Sequence, residues 1–480
     1  MLPMIGGCRQ SDPTEDVPAT RSDVPLRVTL VGSEAWAEAI RTAWGGVSEQ
    51  PLDIRVVERT AGSPQSAGLT ERTLGALANS DVAIVPCGLT PDLVEAEAIV
   101  SLGQDLIEDD ALRVDQMLSI PREVLMRWAG AAIGIPLGSV QPALLVAGST
   151  TVLSERKPAA ESARASKNES ENAPPAIPQR WSDFLELAAE INSAAPDGVD
   201  RVVAEPLADG GAAKSFLWRA NDANPAVWLF SRESFEPVLT DDVYVTVLES
   251  MRSAGKLNRQ PARLSAGEVW SGVAAGEIDL AVAWPAASGD PPRADPLTDV
   301  MVAAPPITDV ATNDRIAAEQ VVAGDPLSGS IRDKIANKMT LPDPDSPLGV
   351  IGSRCRQTTV AKRFLVWLAV GEGRQMIRSA GPAMTPLHAD NTAVGDSDDS
   401  GYDGLISERL ASLQPRPTLR LHAFDRYLDA LDARILACLD GQQTAAEALA
   451  AASLDWRAIT DEIGVDRQAR AWRRAQGLRN

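Results

Sequence analysis

RVTLVGSEAWAEAIRTAW, residues 27–44, decides the fold class. Arg27 to Val31 is a β-branched run, Gly32-Ser33 breaks it, and Trp36, Ala39, Ile40 and Ala43 then recur at helical spacing. The stretch therefore predicts a strand, a turn and a helix. The alternation continues outward: LDIRVVE (52–58) predicts a second strand, Thr70 to Asn79 a helix, and DVAIVPC (81–87) a third strand. Alternating β and α elements imply a parallel sheet with crossover helices. Ligands of such sheets meet the carboxyl ends of the strands, which places Gly32, Ser33, Glu34, Trp36, Cys87 and Gly88 at a candidate rim. Trp36 reads equally well as a helix core residue.

Further along, AIGIP (132–136) predicts a strand running into LGSVQPALLVAG, where Gly138 and Pro142 interrupt the pattern, as expected of a crossing between lobes. Ser154 to Gln179 is rich in Pro, Ser and charge, with almost nothing to bury, and is expected to be a disordered insertion. RWSDFLELAAEI (180–191) predicts a helix capped by Ser182. GEVWSGVAAGEIDLAVAWP (267–285) gives a short helix, a turn at Gly276 and the strand Ile278 to Trp284. A tryptophan before a proline at a strand end offers a flat apolar face and one N–H donor, so Trp284 is a ligand-contact candidate. VMVAA (300–304) and LGVIGS (348–353) read as two more crossings, and TTVAKRFLVWLAV (358–370) as an amphipathic helix. Phe424 to Gly477 reads as a helical tail docked by Trp456 and Trp472.

A chain of 480 residues exceeds what one core usually supports, so two lobes are expected. With 66 acidic against 45 basic residues the formal charge is -21, and the averaged field repels a phosphate backbone, which excludes nucleic acid as a partner. His388 and His422 show no metal-ligand spacing, and Cys8, Cys87, Cys355 and Cys438 contain no CxxC, so no metal and no cofactor are expected. Gly32-Ser33 and Gly210-Gly211 lack the lysine and spacing of a phosphate loop. At the start, Ile5-Gly6-Gly7-Cys8 looks like a lipobox. Cys8 would carry the lipid, and the polar stretch to Pro25 would be a tether.

Taken in order, IGIPLGSVQPALLV (133–146), RWSDFLELAAEI (180–191), GEVWSGVAAGEIDLAVAWP (267–285), LGVIGSRCRQTTVAKRFLVWLAVGEGRQ (348–375) and the Gly-x-x-Thr turn before the Ala-rich tail helix (441–478) resemble the bacterial extracellular solute-binding proteins, family 1. That resemblance implies an α/β, two-lobe periplasmic-binding-protein-like (type II) fold with an interlobe hinge and a helical C-terminal tail. It divides the chain into 1–25 (lipobox and tether), 26–135 plus 303–348 (N-lobe) and 136–302 plus 349–480 (C-lobe). The C-lobe carries the insertion at 154–179 and the tail at 415–480. It implies Venus-flytrap closure on a small solute, a carbohydrate, for ABC permease subunits, by a monomeric lipoprotein that is not an enzyme. Carried over residue by residue, the cleft draws on Ser33, Glu34, Trp36, Gly138, Ser139, Gln141, Trp218, Trp284, Gly349 and Met384. Where the family has a Tyr-rich stretch ending in Asn, this chain has ALLVA (143–147), and with three tyrosines the stacking role falls to its eleven tryptophans. Two rival readings are a ligand-sensing adaptor of the same fold and an exported carbohydrate-active enzyme using paired carboxylates such as Glu34 and Asp279.

Overall fold

Leu26, Val28 and Leu30 alternate along β1 (Leu26–Val31) and are fully buried, which is what fixes this run as an inner strand. The computed structural model describes residues 23–59, 68–147, 177–194, 203–223, 225–257, 263–285, 300–307, 339–378, 384–389, 400–412 and 414–478. Cys8, nearly all of the tether and most of the 154–179 stretch lie outside the described residues.

The helix α1 (Glu34–Gly45) follows β1, its first turn capped by Ser33, whose hydroxyl accepts from the Trp36 N–H at 3.2 Å. β2 (Leu52–Val57), α2 (Leu69–Leu77), β3 (Val82–Pro86) and the short α3 (Thr90–Glu95) complete the first βαβ run. β1 pairs parallel with both β2 and β3, Val28 standing opposite Ile54 on one side and Val82 on the other. The chain adds β4 (Ile135–Pro136) and then leaves for a second sheet.

That sheet is built from β5 (Ala143–Ala147), β6 (Val203–Ala204), β7 (Leu280–Ala283) and β8 (Val300–Ala303), in the order β8-β5-β7-β6. Its helices are α4 (Trp181–Ala194), α5 (Gly211–Asp222), α6 (Asp242–Gly255) and α7 (Ala266–Ala274). The chain returns with β9 (Pro347–Ile351), which inserts antiparallel between β3 and β4 and completes the first sheet as β2-β1-β3-β9-β4. Then come α8 (Thr358–Ala369), α9 (Gly371–Arg378), α10 (Ser400–Leu410) and the tail helices α11 (Phe424–Leu439), α12 (Ala445–Ile463) and α13 (Val465–Ala475). Thr444 and Glu447 form a capping box that starts α12 where the sequence shows its break.

Three readings need correction. Val300–Ala303 and Pro347–Ile351 are in-sheet strands, not crossings between lobes. A short apolar run bounded by Gly or Pro looks the same in either role, and only its pairing partner distinguishes them. The lobe boundary at 349 also moves, because Phe364, Leu365 and Leu368 of α8 pack with Ile40 and Trp44 of α1 in the first lobe's core, Phe364 meeting Trp44 edge-on at 5.2 Å. Residues 349–378 therefore belong to the first lobe. Finally, α4 starts at Trp181, with the Asp183 carboxylate rather than Ser182 accepting the backbone N–H of Arg180 at 3.1 Å.

A continuous apolar layer joins the inner face of the first sheet (Val85, Leu348) to Phe216 and Trp218 of α5 and to Phe424 and Trp456 of the tail. Gly88, just past β3, is a tight point of this layer: a Cβ there would stand 2.5 Å from the Phe424 ring. Gly88→Ala is expected to cost about 1–3 kcal/mol by overpacking. Urea unfolding checks this, and an unchanged midpoint would show that the ring yields freely.

Candidate functional site

At the crossing-side edge of the second sheet, Pro142 precedes β5, Glu205 follows β6, Trp284 follows β7 and Pro305 follows β8. These strand ends enclose a small cavity. α5 contributes Ser215, Trp218, Arg219 and Asp222, and α4 contributes Trp181. The free space is about 10 Å³, room for one water-sized group. Trp218 and Trp284 meet edge to face, with ring centroids 4.5 Å apart, and the Trp218 indole N–H donates to Leu341 O at 3.2 Å. The Arg219 guanidinium lies 3.3 Å above the Trp181 ring and pairs with Glu205. Burial lowers the pKa of Arg219, and the Glu205 charge opposes that shift. Asp222 accepts from Asn221 Nδ2 at 3.3 Å, and burial pushes its carboxyl up to about 6.

Beside this cavity an ion network ties the lobes to the returning chain. Lys214 of α5 places Nζ 3.0 Å from Asp343 Oδ2 and 2.7 Å from Asp345 Oδ2. Arg59, just past β2, pairs with Asp345 and lies over the Phe424 ring at 5.2 Å. Burial pushes Asp425, at the start of α11, up to about 6. The Cys87 thiol is held against the carbonyls of Asp343 and Pro344, and burial pushes it up to about 12, so it stays protonated and is no nucleophile.

Of the residues singled out from sequence, the structure brings together Trp218 and Trp284 in the cavity wall, with Gln141 next to Pro142. Gln141 Nε2 donates to Leu341 O at 3.1 Å, the carbonyl that also receives Trp218. Gly138 and Ser139 lie on the crossing, where Ser346 Oγ donates to Ser139 Oγ at 2.7 Å and fastens two crossing segments together. The others lie elsewhere. Ser33 is spent on the α1 cap, and Glu34 is exposed and paired with Arg41 at 2.8 Å. Trp36 is 1% exposed within the first lobe's core, so its face has no route to a ligand. Gly349 sits inside β9 beneath Leu365, and Met384 is buried in the same first-lobe core. Glu34 and Asp279 stand on different lobes, Asp279 beside β7, which removes the geometric basis for that carboxylate pair.

Glu205, Arg219, Asp222, Arg59 and Lys214 were not singled out. The available signals were a β-branched run stopped at Glu205-Pro206 and charges interrupting the aromatic helix SFLWRAND. No group of three or more His, Cys, Asp or Glu able to hold a metal ion occurs among the described residues. No helix among the described residues is long and apolar enough to cross a membrane.

No protein-family model matches the chain, and no curated protein matches it. Solved structures do match across nearly its whole length. The GacH receptor of Streptomyces glaucescens GLA.O, solved unliganded and with acarbose, is 11% identical and superposes with a TM-score of 0.61, covering 92% of this chain and 100% of its own. The chain has the two-lobe fold of the solute-binding proteins. An ABC transporter solute-binding protein from Agrobacterium radiobacter K84 in complex with ribitol gives a TM-score of 0.62 at 13% identity, covering 90% and 98%. A sugar transporter protein from Arthrobacter chlorophenolicus A6 with bound laminaribiose gives 0.61 at 12%, covering 91% and 99%. In that fold the two sheets belong to the two lobes, and the tryptophan cavity lies at the edge of the second sheet.

Proposed function

We propose that this chain is an extracytoplasmic solute-binding protein that takes up a carbohydrate or polyol between its lobes and delivers it, chemically unchanged, to the permease subunits of an ABC importer. The observation that carries this reading is the two-lobe fold, matched over nine-tenths of the chain by structures solved with sugars or a polyol, and the small Trp218–Trp284 cavity with Glu205, Arg219 and Asp222 would take one group of such a ligand. Aromatic faces and planar polar side chains together match the C–H faces and hydroxyl groups of such solutes. The solved relatives carry sugars or a polyol, and the fold offers a hinge on which binding closes the lobes. The protein acts as a monomer, held at the membrane by lipid on Cys8.

The purified chain is expected to be stabilised by one or a few members of a panel of monosaccharides, disaccharides and polyols. A ligand at 100 times its Kd adds about 2.7 kcal/mol to the unfolding free energy. Trp284→Ala is expected to weaken that ligand at least about tenfold, by removing the flat wall. A panel in which no member raises the Tm sinks the reading. For the anchor, Cys8→Ser is expected to move the protein from the membrane fraction to the soluble fraction, and an unchanged distribution rejects the lipid.

A further inference from the structure

We infer that the cavity at the edge of the second lobe is built for a primary ammonium, so that the cargo is an amino sugar or amino polyol rather than a neutral one. The inference rests on the functional reading above and narrows it. The cavity already contains one cation bound in the way a second could be. Arg219 lies on the Trp181 face at 3.3 Å with Glu205 as its counter-ion. Trp284 and Trp218 supply further aromatic wall, and Asp222 supplies a further carboxylate, 9% exposed, with only the Asn221 amide hydrogen-bonded to it among the described residues.

The charges on the lining are Glu205 and Asp222 against Arg219, which leaves the site one positive charge short. Burying an uncompensated carboxylate is costly, and a ligand cation removes that cost on closure. An ammonium brings three donors and no acceptor, and the Asp222 carboxylate on the lining is an acceptor for it. The space of about 10 Å³ fits that head group and excludes a trimethylated one.

Calorimetry on two matched pairs tests this: glucosamine against glucose, and 1-amino-1-deoxysorbitol against sorbitol, at pH 7. The expected result is an amine bound at least about tenfold tighter than its neutral partner in one pair, with Asp222→Asn cutting that ratio below about twofold. Should Asp222→Asn fail to fold, the wild-type protein gives the second measurement. Asp222 faces Arg219 and Glu205 in the cavity and feels Arg409 of α10, and protonating it removes the ammonium's partner. The amine preference is therefore expected to shrink as pH falls through about 6. Neutral compounds binding as tightly as amines, or a preference insensitive to both the variant and pH, overturn the inference and leave the functional reading standing. Binding by neither class overturns both.

Discussion

Replacing Arg420 by alanine lowers the free energy of unfolding by about 3–5 kcal/mol, because it empties a buried guanidinium site that the surrounding backbone cannot refill. Arg420 is 1% exposed on the segment leading into α11. Its Nη1 donates to Val124 O at 2.6 Å and Arg127 O at 2.9 Å, its Nη2 to Thr90 Oγ1 at 2.9 Å, and its plane lies 4.9 Å from the centre of the Trp128 ring. Burial lowers its pKa to about 10, so it is still charged at neutral pH. Truncation leaves two carbonyls without donors and a void against Trp128, each costly on its own. The same segment fastens the tail to the first lobe, with His422 Nδ1 2.7 Å from Asp92 Oδ1 and the Ala423 N–H donating to Asp92 Oδ2 at 3.1 Å. Arg420→Lys keeps the charge but not the planar fork, and is expected to recover less than half of the loss. Urea unfolding of the three proteins measures this directly, and a midpoint for Arg420→Ala within error of wild type would remove Arg420 as the tail's anchor.

The alternation in RVTLVGSEAWAEAIRTAW was enough to read a parallel sheet, because strand and helix periods differ and each leaves its own mark on neighbouring residues. Trp284 was legible for a similar local reason: a strand that stops at Trp-Pro presents the ring at its end. The polar half of the site was not. Glu205, Arg219 and Asp222 carry charges that on most helices and loops face water. Their burial depends on Trp181 and Pro305 arriving from 24 or more residues away in the chain. Trp36 shows the converse. Its position beside the β1 turn suited a ligand rim and its spacing suited the core, and the Ser33 cap turned the helix so that the ring faces inward. Gly349 was misplaced because a glycine can admit a ligand or a neighbouring side chain equally well, and here the neighbour is Leu365.

Lowering the pH from 7.5 to 5 makes this protein more stable, by about 4 kcal/mol, at about 1.4 kcal/mol per unit of pH and titrating group. Three carboxyls produce the effect: Asp222, Asp425 and Asp432 are each pushed up to about 6 by burial. In the unfolded chain an aspartate titrates near ~3.9, so between about 4 and 6 the native protein holds protons that the unfolded chain has released. Stability therefore falls as pH rises through that window and levels off above it. Asp432 accepts the Ala213 N–H at 2.9 Å and so ties α11 to the first turn of α5, a bond that helps the charged form without offsetting its burial. The gain ends on the acid side. Asp81, where the hydrogen bonds from Arg27 and Arg356 outweigh burial, and Glu462, held by Arg426, sit below the usual carboxylate range, and their contributions are lost as pH falls through their own folded values. The stability maximum is thus expected on the mildly acid side of neutral. Asp222→Asn should remove about a third of the rise. Unfolding free energies from urea titrations at half-unit steps between pH 4 and 8 decide it: a flat profile, or one rising toward pH 7.5, would mean that these three carboxyls are ionised without penalty, and the charge deficit argued for the cavity would go with them.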